Sequence, residues 1–177
     1  LAAKLRGVDG VYVGSPVGFP AGASKTAVKM IEAQQLLEDG VEEMDIVMNV
    51  GKFKNGEYGY VLGELRGIIG MSDKRVKTKV IVEMAALDDA ELDKACEIAI
   101  DSGADFVKTG TGWIPGSLDL ERVRRIKSFC GDRIKVKAAG GIRTRGEFLA
   151  LVEMGVERMG INVRSAVEIV ESFPLEK

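Results

Sequence analysis

The stretch Ala104-Asp105-Phe106-Val107-Lys108-Thr109, then the helical run Asp119 to Cys130, then Ile134-Lys135-Val136-Lys137-Ala138, decides how the chain is read. Two short apolar, β-branched runs flank a segment of helical character, which is the pattern of a strand-helix-strand unit with parallel strands. The alternation continues in both directions. Strands are predicted at Val11 to Val17, Met44 to Val50, Thr78 to Met84, Asp105 to Thr109, Ile134 to Ala138 and Arg158 to Val163. Helical stretches include Lys25 to Leu37, Tyr60 to Met71, Asp88 to Ser102, Asp119 to Cys130 and Arg145 to Met154, with Gly40, Gly103 and Gly155 as C-terminal caps. No low-complexity linker divides the chain, so a single domain over residues 1–177 is expected.

Right-handed strand-helix repetition builds a parallel sheet covered by helices, either open or closed into a barrel. The loops favour a barrel. Gly18-Phe19-Pro20, Asn49 to Lys52, Thr109 to Trp113 and Gly140 to Thr144 all follow strands, and a ring of such loops at strand C-terminal ends is where a barrel enzyme carries its site. An open dinucleotide-binding sheet would place a G-x-G-x-x-G turn after the first strand, and none is present. The expected fold is therefore an α/β, parallel (β/α) TIM-barrel type. A complete barrel has eight strands over roughly 250 residues, so six strands imply that the first two strand-helix units are lacking. The chain also starts without methionine, inside what reads as a helix. A truncated chain, a partner covering the strand edges, or a rearranged sheet would each follow.

Composition narrows the chemistry. The 177 residues are 46% hydrophobic and 29% charged, with 25 Lys and Arg against 27 Asp and Glu and a net charge of -2. Such a balance gives no field for nucleic acid or an anionic membrane. The chain contains no histidine, which removes the Ser-His and Cys-His nucleophile pairs and every His-containing metal site. Cys96 and Cys130 lie far apart in ordinary helical stretches, and no secretory or membrane-spanning segment is apparent, so a reducing cytoplasm is expected. Two isolated cysteines cannot make a structural zinc site unaided and no loop has calcium-ligand spacing, so Lys, Asp, Glu, Tyr and Cys remain as catalytic candidates.

Lys108 ends one apolar strand and Lys137 the next, so in a parallel sheet the two ammonium groups can approach each other. A neighbouring cation and partial burial lower a lysine pKa and supply the neutral amine that attacks a carbonyl. Strand-end lysines also commonly reach into solvent. Lys135 shares the Lys137 strand face and is a rival, further from the C-terminal mouth. Asp45, inside Met44-Asp45-Ile46-Val47-Met48, calls for a cationic partner; it could carry protons for the lysines or form a structural ion pair. Glu83 in Val80-Ile81-Val82-Glu83-Met84 is a candidate to support them. Gly140-Gly141-Ile142-Arg143-Thr144 leads into a helix and suits a backbone cradle for phosphate, with Gly110 and Gly112 offering further amides. Glycines of this kind also serve as plain turn formers.

With these residues assembled, the chain resembles the class I deoxyribose-phosphate aldolases over nearly its whole length. Phe106-Val107-Lys108-Thr109-Gly110-Thr111-Gly112 is similar to the family's Schiff-base strand, and Val136-Lys137-Ala138-Ala139-Gly140-Gly141-Ile142-Arg143-Thr144 to its second-lysine and phosphate segment. Glu43-Met44-Asp45-Ile46-Val47 matches the strand of the proton-relay aspartate, while Val17-Gly18-Phe19-Pro20 and Gly51-Lys52 look like earlier loops. The resemblance implies Lys108 as nucleophile, Lys137 as the cation tuning it, Asp45 as proton shuttle, and phosphate contacts at Gly112, Gly140 and Gly141. It implies reversible cleavage of 2-deoxyribose 5-phosphate to glyceraldehyde 3-phosphate and acetaldehyde, without metal or organic cofactor, in a homo-oligomer. Two positions depart from the family: Gly110 replaces a serine, and Gly160-Ile161-Asn162-Val163 replaces small Ser or Thr residues, leaving Asn162 as an alternative phosphate donor. The competing expectations are a non-catalytic phosphosugar-binding barrel fragment dependent on a partner chain, and a phosphosugar isomerase that would need a carboxylate base in place of the lysine.

Overall fold

The computed structural model describes residues 8–72 and 76–174. The expected helix at the very start of the chain lies outside them. Six strands, β1 (Gly14–Val17), β2 (Glu43–Val47), β3 (Lys77–Ile81), β4 (Phe106–Lys108), β5 (Lys135–Ala139) and β6 (Arg158–Gly160), form one sheet in chain order. Every neighbouring pair is parallel. The order is that of a barrel arc, so the sheet is not rearranged, and β1 and β6 are its two edges. Pro16 sits in edge strand β1, where its missing N–H is tolerated.

Helices fill the crossovers: α1 (Thr26–Glu38), α2 (Val50–Lys54), α3 (Tyr58–Gly70), α4 (Asp89–Asp101), α5 (Leu120–Cys130), α6 (Arg145–Glu153) and α7 (Val163–Glu171). Their ends follow from local chemistry. Asp88 with Glu91 and Thr144 with Glu147 form capping boxes at α4 and α6, each worth about 1 kcal/mol. Gly40, Gly103 and Gly155 follow their helices at positive φ, where glycine carries no Cβ penalty.

The strands alternate between two unlike faces. Met44, Ile46, Val80, Val82, Val107, Val136 and Ala138 belong to the apolar core shared with the helices. The opposite, inner face carries Glu43, Asp45, Lys79, Lys108, Lys137 and Arg158, which pair with one another across strands. An ion pair joins Glu43 on β2 to Arg158 on β6, with three strands between them in the sheet, and the Arg158 guanidinium lies 5.7 Å from the ring centroid of Tyr12, just before β1. Contacts from β6 to the start of the chain's first strand require the sheet to curl as a barrel does.

Several boundaries differ from expectation, for identifiable reasons. The strand expected through Val50 stops at Val47, because Asn49 accepts a hydrogen bond from Lys52 N and caps α2. The strand expected through Met84 stops at Ile81, because Glu83 adopts φ 54 and Met84–Ala86 forms a 3-10 turn. The strand expected through Val163 stops at Gly160, and Val163 instead opens α7 behind the Asn162 cap. Cys96 and Cys130, distant in sequence, are both free and buried, one on α4 and the other at the end of α5. Among the described residues no helix is long and apolar enough to cross a membrane.

Candidate active site

In-register pairing brings Lys108 opposite Lys137 on neighbouring strands β4 and β5, and Asp45 opposite Lys79 on β2 and β3. Both lysines expected at the site donate to the same oxygen: Lys108 Nζ lies 2.8 Å and Lys137 Nζ 3.0 Å from Asp45 Oδ2. The other carboxylate oxygen, Oδ1, is 2.9 Å from Lys79 Nζ. The Lys108, Lys137 and Asp45 side chains retain 12%, 18% and 14% of their exposure, so the group is largely withdrawn from water yet open at the mouth.

Burial opposes the Asp45 charge, but Lys108, Lys137 and Lys79 outweigh it and hold the carboxyl well below the usual carboxylate range. Burial pushes the Lys137 ammonium toward its neutral form, with Lys108 and Lys79 adding to that effect and Asp45 working against it. The arrangement therefore places an ionised carboxylate between two amines, one of which is biased to lose its proton. That is the equipment for amine attack on a carbonyl with local proton transfer.

Lys135, the rival on β5, lies on the same inner face one step toward the strand's start, exposed, with its ammonium 5.8 Å from the Phe106 ring. It makes no ion pair with Asp45 among the described contacts. Glu83 also stands apart from the lysines. Its carboxylate accepts from the Thr111 hydroxyl, and from Thr111 N at 3.3 Å, in the loop after β4. This bond ties down a non-glycine residue at φ 54, a conformation that costs roughly 1–2 kcal/mol. A Cβ on Gly110 would fall 2.9 Å from Glu83 Oε1, so the glycine at this position leaves room for that carboxylate.

Beside Lys108 opens a cleft of about 350 Å³, lined by Thr111, Gly112, Gly140, Gly141, Arg143 and Asn162 among others. All four residues expected to meet phosphate thus border one cavity with the candidate nucleophile. Gly112, Gly140 and Gly141 have φ 77, 93 and 84. A Cβ on Gly141 would lie 2.6 Å from Leu118 N, so no larger residue fits without moving that loop. Two details differ from the expected cradle. The amides of Arg143 and Thr144, leading into α6, already donate to Glu147 Oε2 at 2.8 and 2.9 Å, so these two N–H groups are committed to the helix cap. Asn162 is likewise occupied: Oδ1 accepts from Ser165 N and Nδ2 donates to Ser165 Oγ. It caps α7 while bordering the cleft.

Two site residues were missed from sequence, Lys79 and Arg158. The signal for Lys79 was its register opposite Asp45; as one lysine of Lys77-Thr78-Lys79 it reads as a solvated strand start. Arg158 lay at the edge of an expected strand, and only the curl of the sheet takes it to Glu43. Among the described residues no cluster of three or more Cys, Asp or Glu is arranged to hold a metal ion.

No family model matches the chain, but individual relatives do. It is 46% identical over 162 residues to a deoxyribose-phosphate aldolase of Thermococcus gammatolerans, covering 91% of this chain and 71% of that protein. It is 44% identical over 158 residues to a deoxyribose-phosphate aldolase of Rhizobium meliloti, covering 89% of this chain and 63% of that protein. The solved tetrameric deoxyribose phosphate aldolase of Aeropyrum pernix superposes with a TM-score of 0.82 at 34% identity, over 93% of this chain and 68% of that one. The chain thus spans about two thirds of the length of these relatives. With this identity over most of its length and a matching barrel arc, the chain belongs to the deoxyribose-phosphate aldolase family.

Proposed function

We propose that the chain carries the reacting half of a Schiff-base aldolase that reversibly cleaves 2-deoxy-D-ribose 5-phosphate to D-glyceraldehyde 3-phosphate and acetaldehyde. The observation that carries this reading is the sharing of Asp45 Oδ2 by Lys108 and Lys137 at 2.8 and 3.0 Å, beside a glycine-lined cleft. In its neutral form Lys108 adds to the sugar's C1 carbonyl; the resulting carbinolamine loses water, and the protonated imine accepts the electron pair of the C2–C3 bond as it breaks. Concretely, loss of a proton from the C3 hydroxyl cleaves the C2–C3 bond, releases glyceraldehyde 3-phosphate and leaves an enamine on Lys108. Protonation at C2 and hydrolysis return acetaldehyde and the free amine. Asp45, with Lys137, is the group within hydrogen-bonding reach of Lys108 that can move these protons. Gly112, Gly140 and Gly141 offer amides to the phosphate.

The substrate phosphosugar is supported by the names of the relatives, and assembly into a homo-oligomer by the tetrameric Aeropyrum pernix enzyme. The test is reductive trapping. Acetaldehyde with borohydride should give a covalent adduct that peptide mapping assigns to Lys108, and Lys108→Arg should abolish it. A folded wild-type protein that binds sugar phosphate but forms no adduct would refute the proposal.

A further inference from the structure

We propose that Lys79 is a positioning residue for the reacting pair: clamped between Glu43 and Asp45, it holds Asp45 Oδ1, so that only Oδ2 is left for Lys108 and Lys137 to share. The inference rests on the aldolase reading above and deepens it. Lys79 has no solvent exposure. Its ammonium is 2.6 Å from Glu43 Oε2 and 2.9 Å from Asp45 Oδ1. Glu43 is fixed in turn by Arg158, whose guanidinium lies 5.2 Å from the Phe106 ring centroid. A continuous line, Arg158 to Glu43 to Lys79 to Asp45, therefore runs along the inner face up to the two lysines.

This line does more than fill space. A buried ammonium needs one carboxylate for neutrality, and Lys79 takes a share of two. The group then holds four cations, Lys79, Lys108, Lys137 and Arg158, against Glu43 and Asp45, and the surplus positive charge adds to the burial that pushes Lys137 toward its neutral form. The remaining charged groups nearby are engaged elsewhere or displaced: Lys135 over Phe106, Glu83 on Thr111, Lys77 on Asp105, and Lys29 with Glu64 beneath the end of β2.

The two ends of the clamp predict opposite shifts. Lys79→Met removes a cation and releases Asp45 Oδ1 to the lysine pair. Glu43→Gln removes an anion and leaves Lys79 to Asp45 alone. The rate of cyanoborohydride trapping of acetaldehyde is measured against pH for wild type and both variants, with circular dichroism to establish folding. The expected midpoint moves alkaline by roughly one pH unit in Lys79→Met, about a tenfold slower reaction at pH 7, and moves acidic in Glu43→Gln. A purely structural lysine would reduce the amount of folded protein and leave the midpoint in place. Unmoved midpoints, or shifts of the same sign, overturn the inference; if Lys79→Met does not fold, the Glu43→Gln midpoint decides alone. Absence of any adduct in wild type would instead bring down the aldolase reading itself.

Discussion

Replacing Asp45 with asparagine keeps the side chain's shape and removes the one charge on which three lysines converge, at 2.8, 2.9 and 3.0 Å. At an effective dielectric of about 20, a single contact near these distances is worth roughly 6 kcal/mol before desolvation. Withdrawal of the carboxylate from water and repulsion among the lysines cancel most of that sum. Removal of one partner from a buried ionic group leaves a net cost of about 3–5 kcal/mol, which is the destabilisation expected for Asp45→Asn at pH 7. The pH dependence has a definite sign. The folded protein holds Asp45 below the usual carboxylate range, so its contribution is complete above the unfolded value of about 4 and is lost as pH falls toward the folded one. By linkage, the difference between wild type and variant should be about 1.3 kcal/mol smaller at pH 3 than at pH 7. Urea denaturation of both proteins at the two pH values, read by far-UV circular dichroism, measures it. A cost below about 1 kcal/mol at pH 7, or a difference that does not narrow at pH 3, would refute the account of Asp45 as the counter-charge.

Three further substitutions probe the surrounding frame. Gly141→Ala introduces a side chain at φ 84 and 2.6 Å from Leu118 N; it should cost at least about 1–2 kcal/mol and abolish the thermal stabilisation that inorganic phosphate gives wild type, as followed by differential scanning fluorimetry. Asn162→Ala removes the α7 cap and should cost about 1 kcal/mol in a denaturant titration, with phosphate affinity by calorimetry unchanged, because the amide is already committed to Ser165. Lys29→Met leaves Glu64 without its cation, with only the Thr26 hydroxyl donating to it, in a pair with no exposure on either side, and also removes a bond to Val47 O at 2.8 Å. It should cost about 3–5 kcal/mol, much of it recovered in the double variant Lys29→Met, Glu64→Leu, as a double-mutant cycle would record.

Much of the fold was legible because the central strands keep most of their outward residues apolar. Met44 and Ile46, Val80 and Val82, and Val136 and Ala138 pack on helices, and that alternate hydrophobicity, with glycine caps between units, carries the strand-helix repetition. Strand ends were less legible. Val50 and Val163 are β-branched and read as strand, yet each opens a helix because the preceding Asn49 or Asn162 supplies a side-chain cap. A cap of this kind outweighs the weak intrinsic preference of one valine. Glu83 ended its strand through a left-handed backbone, which no local composition announces for a glutamate.

The site was legible in proportion to how far each residue violated its surroundings. A lone carboxylate in an apolar strand, Asp45, demands a cation, and lysines ending two adjacent strands supply one; the structure brings these three together on one oxygen. Lys79 and Arg158 gave no such warning, since both stand near strand starts, where a long cation ordinarily reaches water. What withdraws them is register and curvature. Pairing Asp45 with Lys79 across β2 and β3 buries the ammonium, and curling the sheet carries Arg158 across to Glu43. Charges that look ordinary one strand at a time thus become a connected group only when the strands are laid side by side, and it is this connection that allows residues at the base of the inner face to set the charge felt by the lysines at its mouth.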